Sequence, residues 1–108
     1  MSEAAVVRRI LKALRERGAK CIKCHPSGTE VGMPDIAGCH PKSGMFLIEV
    51  KDPSGRHPVT PIQRHRLKEW HRAGARTGVA QGVEEALAIV FGDDALADHD
   101  RVLDPDPL

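Results

Sequence analysis

Asp35, Glu49 and Lys51 are the residues whose types and spacing could do chemistry together. Asp35 follows Pro34 and opens a short run, Ile36-Ala37-Gly38-Cys39. Glu49 and Lys51 close the run Met45-Phe46-Leu47-Ile48-Glu49-Val50-Lys51. Two positions apart in a strand, their side chains share one face of the sheet, about 7 Å apart along it. Charges at the end of an apolar strand are costly if buried without partners. Two carboxylates brought together repel unless a cation lies between them. Mg²⁺, held by one or two carboxylates, waters and phosphate oxygens, meets that need. An adjacent lysine adds a compact positive charge for an attacking water or for charge developing on phosphorus. In outline these are the parts of metal-assisted phosphodiester hydrolysis. Singly they say little, since a Glu-x-Lys triplet arises by chance in roughly 40% of chains of this length and composition. The joint pattern carries the argument: Gly-x-Pro-Asp, a turn, an apolar strand ending in Glu-x-Lys, then a capped basic helix.

The elements that must position these residues are legible on either side. Ser2 can cap a helix that opens with Glu3, and Val6, Val7, Ile10, Leu11 and Leu14 give it one apolar stripe. Gly18 is placed to end it. Residues 20–25 read as a short strand, 26–32 as a loop, 35–39 and 45–51 as two further strands, with a turn around residues 41–44. Asp52-Pro53-Ser54-Gly55 closes the third strand. Thr60-Pro61-Ile62-Gln63 opens a second helix with an N-cap, a proline at the first helical position and a capping-box glutamine. Ile62, Leu67, Trp70 and Ala73 are its expected buried face. A weak strand over 77–81 and a helix over 83–91 follow. Helix, three strands, helix, strand, helix makes an α/β domain built on a mixed sheet.

The chain has 108 residues, enough for one domain, with 41% hydrophobic and 29% charged residues. Its net charge of +1 hides a division. Residues 1–91 carry 15 Lys and Arg against 9 Asp and Glu, a balance of +6, and residues 92–108 carry one Arg against six Asp, a balance of −5. The expected division is therefore a domain over 1–91 and an acidic Asp/Pro-rich tail over 92–108. No apolar run approaches the ~18–20 residues of a membrane span. Residues 1–5 lack the pattern of a secretory signal, and three cysteines fit a reducing cytoplasm better than a disulfide framework.

The second helix is loaded with Arg64, His65, Arg66, Lys68, His71 and Arg72 against a single Glu69. With Lys42 and Arg56 this suits phosphate contacts flanking a cleavage site, although a solvated helix face would look the same. At 3% aromatic residues, base stacking is a poor recognition mode, so duplex or branched DNA read by backbone and shape fits better.

Gly32-Met33-Pro34-Asp35-Ile36-Ala37-Gly38, Phe46-Leu47-Ile48-Glu49-Val50-Lys51 and Thr60-Pro61-Ile62-Gln63 together resemble the VRR-NUC family of the PD-(D/E)XK nuclease superfamily. The resemblance runs from about Glu3 to Phe91 and is nearest to small stand-alone members from phages and bacteria. It implies a restriction-endonuclease-like αβββαβ core, with Asp35, Glu49 and the main-chain carbonyl of Val50 as metal ligands and Lys51 as the catalytic lysine. It also implies Gln63 as a motif residue near the site and Glu3 as a candidate acid facing it. The implied activity is Mg²⁺-dependent cleavage of structured DNA such as four-way junctions, often by a homodimer, with Mn²⁺ able to substitute. Gln63 has a second explanation as a capping-box residue, and Glu3 as a partner of the helix dipole. Two other readings stay open. One is a DNA-binding module without catalysis on the same fold. The other is a zinc-stabilised domain using Cys21-x-x-Cys24-His25 and Cys39-His40, although alternation along a strand sends Cys21 and Cys24 to opposite faces.

Overall fold

The computed structural model describes residues 1–25 and 30–92. Helix α1 (Glu3–Glu16) starts where the Ser2 hydroxyl accepts a hydrogen bond from the Ala5 N–H at 3.2 Å, as its sequence predicts. Strands β1 (Lys20–Lys23), β2 (Ile36–His40) and β3 (Gly44–Val50) follow, then α2 (Pro61–Arg72), β4 (Arg76–Ala80) and α3 (Val83–Phe91). The sheet order is β1-β2-β3-β4. β1 and β2 are antiparallel, as are β2 and β3, whereas β3 and β4 are parallel and joined through α2. The α/β class and the order of elements are those the sequence implies.

The alternation of β3 divides the molecule into layers. Phe46, Ile48 and Val50 join Ile36 of β2 and the apolar stripe of α1, with Ala86 and Val90 of α3, in one core. Leu47 and Glu49 alternate with them and face the opposite side, where α2 packs on β3 and β4 through Leu67. Because β2 runs against its neighbours, the end of β1, the start of β2 and the ends of β3 and β4 lie at one edge of the sheet. The chemistry-bearing residues are gathered there.

Several boundaries differ from the sequence reading. β1 stops at Lys23 rather than at 25, and β3 starts at Gly44 and ends just before Lys51. The larger difference is in α2. Leu67 and Lys68 are its buried residues, while Ile62 is 37% exposed, Trp70 half-buried and Ala73 exposed. The helix covers only the β3–β4 half of the sheet, so its first turn overhangs the edge and Ile62 meets Gly32 instead of a strand. Loop residues 26–29 and the acidic tail beyond 92 lie outside the described residues. Among the described residues no helix is long and apolar enough to cross a membrane.

Candidate active site

The β2–β3 register pairs Ile36 with Ile48. Continued by one residue, it sets Asp35 opposite Glu49. Oδ2 of Asp35 accepts a hydrogen bond from the Val50 N–H at 2.8 Å, and the Lys51 N–H turns the other way to the Ala80 carbonyl at 3.0 Å. In an extended strand the N–H and C=O of one residue point to the same side. The Val50 carbonyl is therefore directed toward Asp35.

Glu49 is only 2% exposed. Its Oε2 lies 3.2 Å from Nζ of Lys51, and its Oε1 is buried without a hydrogen-bond partner among the described residues. Burial first, and the nearby Asp35 second, push the Glu49 carboxyl up to about 8 against the pull of Lys51. A buried carboxyl destabilised in its charged form beside a second carboxyl is a site that gains from a cation. The donors are hard oxygens: Asp35, Oε1 of Glu49 and the Val50 carbonyl. They suit Mg²⁺ or Mn²⁺ far better than a soft metal.

Gln63 stands over the same edge. Its Oε1 accepts from the Thr60 N–H at 3.0 Å and its own N–H donates to the Thr60 hydroxyl at 3.3 Å, completing the capping box. The cap uses the side-chain oxygen and leaves the amide N–H donors. The same side chain lines a cleft of about 340 Å³ with Asp35, Cys24, His25, Glu30 and Met33. Cap and cleft wall are thus combined in one residue.

Other candidates are placed differently. Glu3 is half-buried in the first turn of α1, and no group of three or more His, Cys, Asp or Glu able to hold a metal forms among the described residues. Glu3 is therefore not gathered with Asp35 and Glu49, and the cysteines and histidines do not form a cluster. Cys21 is buried with its thiol 4.0 Å from the Leu11 carbonyl, Cys39 is exposed, and His40 sits 2.9 Å from the Arg17 carbonyl and edge-on to Phe91. Burial raises the thiols of Cys21 and Cys24 above their ordinary value. Arg56 is exposed and Arg64 half-buried near the site, whereas Lys42, in the β2–β3 turn, and Arg72, at the end of α2, are exposed at the opposite end of the strands and do not flank Asp35 and Glu49, because β2 runs back from the site and α2 leads away from it. Lys68 is 6% exposed and does not belong to a solvent-facing stripe. Arg66 is held by Glu69 at 2.8 Å, Glu30 at 3.1 Å and the Val31 carbonyl at 2.9 Å.

Sequence reasoning did not place Cys24, His25 and Glu30 in the cleft beside Asp35. The β1–β2 pairing brings Cys24 and His25 there, for the Cys24 N–H donates to the Asp35 carbonyl at 2.7 Å and extends the ladder one step beyond Lys23 and Ile36, while Arg66 holds Glu30 at 3.1 Å. Only the antiparallel register carries that signal.

No family model and no curated protein matches the chain. Among solved structures, one described as a VRR_NUC domain is similar with a TM-score of 0.63 and 21% sequence identity, over 90% of this chain and 95% of that one. The likeness shows a shared fold, and it is the fold that the motifs around Asp35, Glu49 and Gln63 imply.

Proposed function

We propose that this chain is a VRR-NUC nuclease, a metal-dependent endonuclease that hydrolyses phosphodiester bonds of duplex or branched DNA such as four-way junctions. The observation that carries the reading is Glu49: a buried carboxyl with an oxygen unpartnered among the described residues, set against Asp35 and beside Lys51 at the end of β3. A residue serving only the fold would gain by being apolar at this position. Asp35, Glu49 and the Val50 carbonyl would hold Mg²⁺, which supplies the positive charge that polarises the scissile phosphate and acidifies water.

The chain's own residues do the rest. Lys51 shares the Glu49 face of β3, so its ammonium group can orient a water for in-line attack and offset charge building on the phosphate oxygens. The amide donors of Gln63 hydrogen-bond a phosphate oxygen across the cleft. Arg56, between β3 and α2, and Arg64, in the first turns of α2, contact the backbone beside the cleft. Water bonds to phosphorus as the bond to the 3′ oxygen breaks, leaving a 5′-phosphate and a 3′-hydroxyl. One protomer offers a single site, so symmetric cutting of a junction calls for a homodimer.

Asp35→Asn and Lys51→Ala test the assignment. Both should keep the circular-dichroism spectrum of the wild type and lose Mg²⁺-dependent cleavage by 10²-fold or more, on the order seen when a single charge-stabilising group is removed from an active site. Cleavage by either variant at the wild-type rate would show that the site lies elsewhere.

A further inference from the structure

Charge and position make Arg66 look like one more phosphate contact on a basic helix, but its bonds point inward to a turn. Glu30, Val31, Gly32 and Met33 form a tight turn closed by the Met33 N–H donating to the Glu30 carbonyl at 3.1 Å. Gly32 takes the positive φ of +80° that the third position of a type II turn requires. Two residues after the turn comes Asp35, with buried Pro34 between, so the turn sets the direction from which the carboxylate enters the site.

Two separate contacts fasten this turn to α2. Nε of Arg66 donates to the Val31 carbonyl at 2.9 Å and lies 3.1 Å from Oε2 of Glu30, while its NH1 group pairs with Oε1 of Glu69 at 2.8 Å. The guanidinium is thereby tied to both the turn and its own helix, and its side chain is only 19% exposed. One turn of helix earlier, Ile62 packs so closely on Gly32 that a Cβ there would come within 2.9 Å of its side chain and 3.0 Å of its backbone. Asp35 reaches the site from the turn and Gln63 from α2. The fastening ties these two walls of the cleft to each other as well as to the sheet.

We infer that Arg66 and Gly32 form a latch that fixes the Glu30–Met33 turn on α2 and so positions Asp35 for the metal, and that Arg66 is a positioning residue rather than a DNA contact. The inference rests on Asp35 being a metal ligand. Partners that orient metal ligands typically change metal affinity by 10–100-fold when removed. Lysine keeps the charge of Arg66 but has no planar fork to serve a carbonyl and two carboxylates together.

The experiment titrates Mn²⁺ against wild type, Arg66→Lys, Gly32→Ala and Asp35→Asn, reading free Mn²⁺ by electron paramagnetic resonance. It also measures the salt dependence of binding to a labelled duplex in EDTA. Thermal melts establish that each protein is folded. Arg66→Lys is expected to bind Mn²⁺ roughly tenfold more weakly with an unchanged salt slope. Gly32→Ala, which alters no charge but pushes the turn off Ile62, is expected to weaken Mn²⁺ binding as well. Wild-type Mn²⁺ binding in either latch variant would overturn the inference, as would a salt slope reduced by about one in Arg66→Lys. Wild-type Mn²⁺ binding by Asp35→Asn would instead overturn the metal assignment itself.

Discussion

Replacing Glu49 with glutamine keeps the shape of the side chain and removes the charge that the fold accommodates at a cost. In the metal-free protein the Glu49 carboxyl titrates at about 8, against an ordinary 4.5. The folded state holds its proton in that interval while the unfolded chain has released it. The stability this residue contributes is therefore fully present below pH 4.5 and is lost as pH climbs through 8. Between pH 6 and pH 9 the loss is about 2–3 kcal/mol. Glutamine titrates nowhere in this range, and the remaining ionisable groups are common to both proteins. In EDTA, Glu49→Gln should thus gain about 2–3 kcal/mol on the wild type between those two pH values, measured by urea unfolding. Mg²⁺ should reverse the trend by stabilising the wild type at pH 9 and leaving the glutamine variant unmoved. A wild type that keeps pace with Glu49→Gln at both pH values would refute the argument, because the carboxylate would then bear no burial cost for a metal to relieve.

Gln63 can be divided into its two roles. Gln63→Ala should lose about 1 kcal/mol of stability with the capping box, whereas Gln63→Glu should keep the cap and the melting temperature yet cleave more slowly. Equal activity of Gln63→Glu and wild type would confine the residue to capping. Calorimetry of Mg²⁺ binding at pH 7 in two buffers of different ionisation enthalpy should report close to one proton released per metal, from Glu49. Buffer-independent heats would contradict that. Truncation after Gly92 removes the segment of charge −5 and should tighten DNA binding at low salt. Unchanged affinity would show that the tail does not compete for the basic surface.

The shared face of Glu49 and Lys51 is legible because strand alternation needs only local sequence, whereas the approach of Asp35 to Glu49 depends on the β2–β3 register. Glu49 and Lys51 must share a face, and Phe46, Ile48 and Val50 must share the other. The start of α2 was legible for the same reason, since the bonds between Thr60 and Gln63 span three residues. What could not be read depends on partners far apart in the chain. Arg66 meets Val31 across 35 residues, and Cys24 reaches the cleft only through its register with Asp35. The orientation of α2 was misjudged because apolar spacing alone sets its stripe toward Ile62 and Trp70. Leu67 is buried as that spacing requires, but the overhang at the end of the sheet leaves Ile62 exposed and turns Lys68 inward beside Leu67.

The proposed metal-dependent phosphodiesterase site of Asp35, Glu49 and Lys51 is tested most directly by incubating the wild type and Lys51→Ala with end-labelled single-stranded, duplex, flap and four-way-junction DNA, in Mg²⁺ and in EDTA. The wild type should cut duplex or branched DNA in Mg²⁺ alone, leaving 5′-phosphate ends, and Lys51→Ala should leave every substrate intact. Intact substrates throughout, or cutting that survives EDTA or the loss of Lys51, would contradict the assignment.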